Sequence, residues 1–239
     1  PGRFLPGGHA LMIPKTSDGR VLFAIPWLGR VLVGTTDTPV SAIDPEPRPF
    51  ADEVKFLLEH AARYLSPAPT LADVVSMYAG LRPLVKSSGS ISSAQLSRDH
   101  TIEVSPAGLI TITGGKWTTY RQMAEDTVTR AATIAGLPWK ACRTADLALQ
   151  PPRGKGSPLT IEARLHPALP VSAADVHRAI REEMARSVAD ILSRRARALI
   201  LDARASIEIA PAVGRLLAAE LKWTVERESR SVADYLVLA

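Results

Sequence analysis

The sequence has a single cysteine among its 239 residues and no cluster of residues spaced like metal ligands. Cys142 cannot form an internal disulfide and has no companion at zinc-site spacing, so we expect a reducing environment and no metal. No apolar run approaches the ~18 residues that a membrane-spanning helix needs. The first residues also lack the charged and apolar segments of a signal peptide.

Two glycine signatures for phosphate binding are absent as well. The chain contains neither G-x-G-x-x-G nor G-x-x-x-x-G-K-[ST], the patterns of dinucleotide folds and of P-loops. Their absence excludes a self-contained nucleotide-binding unit within this sequence. Aromatic residues make up only 5% of the chain and are not interleaved with its arginines, so no nucleic-acid partner is expected.

Hydrophobic residues make up 46% of the chain, which is ample for a folded core, and the formal net charge is +5. This mild positive charge fits an anionic substrate or an acidic membrane surface, although many proteins with neither partner share it.

Short strands with alternating apolar residues are predicted in the first 140 residues, at 10–14, 20–26, 30–35, 74–81, 101–104 and 109–113. An apolar stripe from Phe50 to Leu65 predicts a helix that ends before Pro67. Another helix is predicted after Lys116, ending at Gly136. We therefore expect an α+β fold with a mostly antiparallel sheet and helices on one side, followed by a smaller all-α C-terminal domain.

The segment Pro151–Pro158 is rich in proline and glycine and indicates a linker. We accordingly predict an α+β region at 1–140, a linker at 141–171 and a helical domain at 172–239. The arginines of the helical domain alternate with acidic residues, which favours a solvated, ion-paired surface over a nucleic-acid or membrane face.

Within the helical domain, six apolar residues at near four-residue steps predict one helix: Val176, Ile180, Met184, Val188, Ile191 and Leu192. Ser172 and Asp175 are placed to form a capping box at its start. A further helix is predicted at 209–221, where Pro211 is tolerable only in the first turn.

The segment Gly114–Arg121 has two glycines, a lysine and two threonines at the point where a strand pattern changes into a helix pattern. Such a turn exposes backbone N–H groups at the positive end of a helix dipole, an arrangement that suits an anionic ligand. The alternative is a plain tight turn followed by a solvated Lys116.

Five segments in this order resemble the FAD-dependent glycerol-3-phosphate dehydrogenases: Leu22–Trp27, Val33–Pro39, Ala79–Leu84, Ser97–His100 and Gly114–Arg121. The family's N-terminal FAD-binding stretch, with its dinucleotide fingerprint, has no counterpart here. The chain therefore resembles the C-terminal portion of such an enzyme, and most of the FAD site is expected to lie outside it.

The resemblance implies roles for particular residues. Arg82 and Arg98 match arginines that bind the substrate phosphate, and planar guanidinium groups suit phosphate oxygens. Lys116 matches a lysine close to both flavin and substrate, so we expect it to be the catalytic residue and a substrate ligand. Thr119 is expected to bind substrate as well. An ordinary salt bridge is the alternative role for Arg98.

The flavin contacts implied by the resemblance come from the glycine turn. Gly114, Gly115, Lys116, Thr118 and Thr119 are expected to bind the cofactor, although threonines at this position also serve as helix caps. None of the five histidines is assigned as the general base, and a structural role is favoured for His100.

By resemblance, the parent enzyme oxidises sn-glycerol 3-phosphate to dihydroxyacetone phosphate by hydride transfer to FAD and passes the electrons to quinone. It is expected to be cytoplasmic and peripherally associated with the inner face of the membrane, and the isolated chain is expected to be inactive. Two alternatives stay open: an oxidase that uses oxygen, and a non-catalytic module that binds a ligand or a membrane surface. The sequence also leaves open whether two copies form a homodimer.

Overall fold

The computed structural model describes residues 1–82, 84–85, 99–148 and 163–239. In chain order its elements are β1 (Leu11–Ile13), β2 (Leu22–Trp27), β3 (Arg30–Gly34), α1 (Ala51–Ala61), β4 (His100–Val104), β5 (Ile110–Gly114), α2 (Tyr120–Ile134), α3 (Ala173–Glu182), α4 (Ala198–Leu201), α5 (Ala203–Leu221) and α6 (Val225–Leu238). Short 3-10 turns and a π-helical segment at Asp190–Arg195 complete them.

The chain forms two compact units. The first comprises Pro1–Gly80 and Gly156–Ala239, and the second comprises Leu81–Lys155. Residues 149–162, the middle of the predicted linker at 141–171, lie outside the described residues, and the predicted domain boundaries stay a prediction.

The first unit contains an antiparallel sheet in the order β1-β2-β3. Leu22 and Ala24 point to its buried face, whereas Phe23 and Ile25 point to an exposed one, as the two-residue period of a strand requires. The end of α1 covers the buried face and forms a small core of seven residues: Phe4, Leu5, Leu11, Val31, Val33, Ala61 and Leu65.

The larger core of the first unit lies among the helices. Helix α5 packs against α3, α4 and α6, and its Val213 and Leu217 are fully buried. Tyr235 of α6 is also fully buried and shares a hydrogen bond with the Ser206 hydroxyl. Burial raises the pKa of Tyr235 to about 12, partly offset by the bond to Ser206.

The second unit is built on the β4–β5 hairpin, which runs through a 3-10 turn at Trp117–Thr119 into α2. The hairpin and the helix are confirmed as predicted, including the C-terminal glycine. Gly136 has a φ of +64°, and the Leu137 N–H donates to the Ala132 carbonyl at 2.9 Å, which closes the helix end.

The predicted strand at 74–81 is wrong, because this segment bonds to helices instead of a neighbouring strand. The Val75 carbonyl accepts a hydrogen bond from the Ala203 N–H at 2.9 Å, and the Ser76 hydroxyl donates to the Leu199 carbonyl at 2.6 Å. Within the described ranges, the antiparallel strands consequently form two separate sheets instead of one. The mixture of helices and antiparallel strands is as expected.

The helical predictions need two corrections. The stripe through Met184 is not one helix: α3 ends at Glu182, and Met184 has a φ of +54° and is 75% exposed while Ala185 is buried. Pro211 lies inside α5 because the helix begins at Ala203, six residues before the predicted start at 209, with Asp202 capping it by accepting from the Ala205 N–H at 3.1 Å. Proline is tolerated there because it lies on the exposed side of the helix.

Candidate functional site

At the turn between β5 and α2, both glycines are closely surrounded by other atoms of the chain. Gly114 and Gly115 have φ values of +78° and +77°. A Cβ on Gly114 would lie 2.7 Å from the Asp99 carbonyl oxygen and 2.9 Å from a methyl group of Val85. A Cβ on Gly115 would lie 2.5 Å from the Met123 sulfur. Both positions favour glycine for their conformation, and Gly114 also requires it for space, whereas the flexible Met123 side chain limits the space at Gly115 less strictly.

The residues that follow the turn start the helix. The Lys116 N–H donates to the Thr119 hydroxyl at 3.3 Å, and that hydroxyl donates to the Lys116 carbonyl at 3.0 Å. Thr119 occupies the N-cap position of α2, but its hydroxyl bonds back to the Lys116 backbone and closes the 3-10 turn instead of capping the helix N–H groups. The Lys116, Thr118 and Thr119 side chains are exposed. Their position at the positive end of the α2 dipole suits an anionic group.

The Lys116 ammonium has no carboxylate partner in the part of the chain that the structure describes. By contrast, Arg121 is engaged within the helix region. Its guanidinium donates to Glu125 at 2.5 Å and to the Thr144 hydroxyl at 3.1 Å, and the bond to Glu125 raises the pKa of Arg121. Of these two cations, Lys116 is the one whose charge remains available to a ligand.

The predicted phosphate ligands, Arg82 and Arg98, are close in sequence to Val85 and Asp99, and these two residues pack against the glycine turn. Arg82 is exposed and lies three residues before Val85, whose methyl group limits the space at Gly114. Arg98 lies outside the described residues. The next residue, Asp99, accepts a hydrogen bond from the Gly115 N–H through its carbonyl at 3.3 Å.

A polar bridge that the sequence did not reveal joins β4 to α2. The His100 Nε2 lies 2.9 Å from an Asp126 carboxylate oxygen, and the other oxygen accepts a hydrogen bond from the Gln122 amide at 2.7 Å. Gln122 and Asp126 are four residues apart on one helix face. The four-residue spacing of Gln122 and Asp126 was a signal available in the sequence, but it does not identify His100 as the partner of Asp126.

The other histidines take part in structural contacts. His60 is buried, with its Nδ1 2.8 Å from the Phe56 carbonyl and its Nε2 accepting from the Ser17 N–H at 3.2 Å. His166 and His177 pair with Glu208 and Glu220 of α5. The described residues contain no group of side chains able to hold a metal ion, and none of their helices is long and apolar enough to cross a membrane.

Comparison with known families and proteins gives a consistent result. The family model described as FAD dependent oxidoreductase matches residues 4–121. The model described as the C-terminal domain of alpha-glycerophosphate oxidase matches residues 110–228. The two matches overlap at the glycine turn.

Individual relatives agree with these families. The chain is 35% identical to a probable mitochondrial glycerol-3-phosphate dehydrogenase of Caenorhabditis elegans, with 94% of the chain and 37% of that protein covered. It is 33% identical to the mitochondrial glycerol-3-phosphate dehydrogenase of Homo sapiens, with 93% and 36% covered. The crystal structure of the Bacillus halodurans glycerol-3-phosphate dehydrogenase complexed with FAD superposes with a TM-score of 0.70 at 26% identity, covering 98% of the chain and 54% of the other. The chain thus spans between about a third and about half of the length of these relatives.

Proposed function

Because the chain belongs to the family of FAD-dependent glycerol-3-phosphate dehydrogenases, we propose that it forms the substrate side of an enzyme that oxidises sn-glycerol 3-phosphate to dihydroxyacetone phosphate. When bound, FAD accepts the hydride from C2 of the substrate. One observation carries the proposal: a turn of two closely packed glycines with positive φ places Lys116, with no carboxylate partner among the described residues, at the start of α2.

The turn suits the edge of the flavin ring on which negative charge develops as FAD is reduced. Gly114 and Gly115 are packed closely against neighbouring atoms of the chain and set its direction into α2. Lys116 places a positive charge where the α2 dipole acts in the same sense, so negative charge developing nearby is stabilised by both. We assign the Thr118 hydroxyl as a further hydrogen-bond donor to the flavin, and the Thr119 hydroxyl, whose hydrogen is donated to the Lys116 carbonyl, as an acceptor.

Arg82 and Arg98 are the proposed ligands of the substrate phosphate. A phosphate monoester carries nearly two negative charges at neutral pH, so two arginines match it in charge and in geometry. The support from the structure is that the segments next to both arginines, through Val85 and Asp99, contact Gly114. Phosphate recognition and the flavin-facing turn would then lie in the same unit.

We further propose that the chain alone is inactive, because it has no dinucleotide fingerprint to bind the adenosine half of FAD. In the complete enzyme, electrons would leave for membrane quinone. The enzyme would be cytoplasmic and bound peripherally to the inner face of the membrane, with the homodimer still open.

The test is anaerobic bleaching of the flavin in the FAD-loaded enzyme by glycerol 3-phosphate. Arg82→Ala should raise the KM for glycerol 3-phosphate roughly 10- to 100-fold, since a charge-assisted phosphate contact contributes about 1.5 to 3 kcal/mol. Activity on glycerol itself should barely change. Arg130→Ala, at an exposed position of α2, is the matched control. An equal loss on both substrates would show that Arg82 supports the fold and not the phosphate.

A second candidate is an oxidase that passes the electrons to oxygen. It is favoured by the match of residues 110–228 to a domain described from alpha-glycerophosphate oxidase. Stoichiometric hydrogen peroxide during turnover in air would support the oxidase, whereas fast reoxidation by a quinone analogue with little peroxide would support the dehydrogenase.

A further inference from the structure

We propose that His100 and Asp126 position the Gly114–Lys116 turn, and Lys116 with it, for the hydride transfer described above; this inference rests on the proposed function. His100 stands opposite Gly114 in the β4–β5 register, and Asp126 lies in the second turn of α2. The 2.9 Å contact between them therefore joins the strand before the turn to the helix after it.

The bridge holds Asp126 from two sides. Its carboxylate accepts a hydrogen bond from Gln122 on the same helix, at 2.7 Å, while it contacts His100 on the strand. A carboxylate held by its own helix has a fixed direction, so its bond to His100 sets the angle between α2 and the hairpin. Lys116 lies between the two joined elements along the chain and is oriented by both.

Packing around Gly115 also indicates that the turn is held by both β4 and α2. A Cβ on Gly115 would approach the Met123 sulfur to 2.5 Å and the His100 Cβ to 3.3 Å. The turn is thus enclosed by a residue of the strand and a residue of the helix. A shift of α2 away from His100 would loosen this enclosure and displace the backbone that carries Lys116.

Apolar packing does little to fix the helix in this unit. None of its described residues is buried, so the described contacts of α2 are partly exposed ones and not the fully buried packing that fixes helices elsewhere. The His100 side chain is only 22% exposed and that of Asp126 38% exposed. A directional polar contact then carries more of the orientation than a surface ion pair usually does.

The experiment follows flavin bleaching by saturating glycerol 3-phosphate in the FAD-loaded enzyme. His100→Ala and Asp126→Ala should each slow it roughly 10- to 100-fold, because small misplacements of a catalytic group are costly. The double variant should be no slower than the slower single variant, and the KM should stay within about twofold, as expected when orientation and not binding is lost. His100→Gln, whose amide reaches about as far as Nε2, should restore most of the rate.

The matched control is His177→Ala, which breaks another histidine–carboxylate contact, 3.1 Å to Glu220, in the first unit. It should leave the rate unchanged. Parent rates in both His100→Ala and Asp126→Ala would overturn the proposal. So would fully additive losses in the double variant, because two residues acting through one contact cannot lose it twice.

A readout independent of the flavin uses the chain by itself. Exchange of the Gly115 amide, which donates to the Asp99 carbonyl, should accelerate in His100→Ala and Asp126→Ala relative to the Glu103 amide, which faces Thr111 across the hairpin in a hydrogen-bonded pair. Equal acceleration at both amides would indicate general destabilisation and overturn the proposal. If glycerol 3-phosphate does not reduce the flavin of the parent enzyme, the proposed function fails. The Gly115 amide then decides whether the bridge orders the turn.

Discussion

Alanine at Gly114 should destabilise the second unit far more than alanine at Gly108, although the two glycines have similar backbone conformations. Their φ values are +78° and +85°. A left-handed conformation costs an L-residue about 1 to 2 kcal/mol, and this strain is common to both substitutions. At Gly108 a Cβ would meet nothing within 4 Å, so the strain is the whole effect.

At Gly114 the new Cβ would lie 2.7 Å from the Asp99 carbonyl oxygen and 2.9 Å from the Val85 methyl group. The Asp99 oxygen belongs to the backbone and cannot rotate away. Overpacking of this kind adds about 1 to 3 kcal/mol, so we expect a total of about 2 to 5 kcal/mol. Gly115→Ala should fall between the two variants, because the obstructing Met123 side chain is flexible.

Amide hydrogen exchange across the β4–β5 hairpin measures these differences, since each 1.4 kcal/mol corresponds to about a tenfold change in the opening constant. Gly108→Ala should accelerate exchange about 5- to 30-fold and Gly114→Ala from about 30-fold to several thousand-fold. Met123→Ala should partly relieve Gly115→Ala and leave Gly114→Ala unrelieved. Equal acceleration in Gly108→Ala and Gly114→Ala would refute the steric argument.

Three further predictions concern the site and the helical core. In the FAD-loaded enzyme, Lys116→Met should slow flavin bleaching by roughly 10²-fold or more, while FAD content and thermal stability stay near the parent values. An unchanged rate would show that Lys116 is only a solvated residue at the helix start. The chain purified alone should be colourless, and co-purification of stoichiometric FAD would contradict the proposed location of the cofactor site. Tyr235 has a pKa raised by burial to about 12, above the value of about 10 in an unfolded chain. Its neutral form therefore stabilises the core below pH ~10, and this contribution is lost as the pH rises from ~10 to ~12. Ultraviolet titration should find one tyrosine ionising late and together with unfolding, and Tyr235→Phe should remove that loss and cost about 1 kcal/mol at neutral pH through the lost bond to Ser206. Ionisation of Tyr235 along with the exposed tyrosines would contradict this.

Local patterns predicted much of the structure. The alternation through Ile110 and Ile112 predicted β5, Gly136 predicted the end of α2, and the capping box of Ser172 with Asp175 was confirmed, with the Asp175 N–H donating to the Ser172 hydroxyl at 3.3 Å. These features depend on contacts within a few residues of the chain. Periodicity and capping chemistry therefore carry the information needed.

Two features were predicted wrongly from local patterns: a strand at 74–81 and a continuous helix through Met184. The segment at 74–81 has the composition of a strand, but Val75 and Ser76 bond to residues more than a hundred positions later. Met184 fits the apolar stripe, yet the chain turns there and Ala185 occupies the buried position. In both cases tertiary contacts override a local preference, which amounts to only a few tenths of a kcal/mol up to about 1 kcal/mol per residue.

By itself the sequence determined the family, through ordered motifs that include Gly114–Arg121, and it determined that no dinucleotide fingerprint is present. It also indicated that a glycine turn precedes a helix, because that chemistry is local. Only the tertiary structure decided why both positions favour glycine and which residues hold the turn. The space at Gly115 is set by Met123 and His100, and the partner of His100 is Asp126, 26 positions away. Steric closure and the pairing of distant polar groups depend on how the elements pack, and no local pattern of residues specifies that packing.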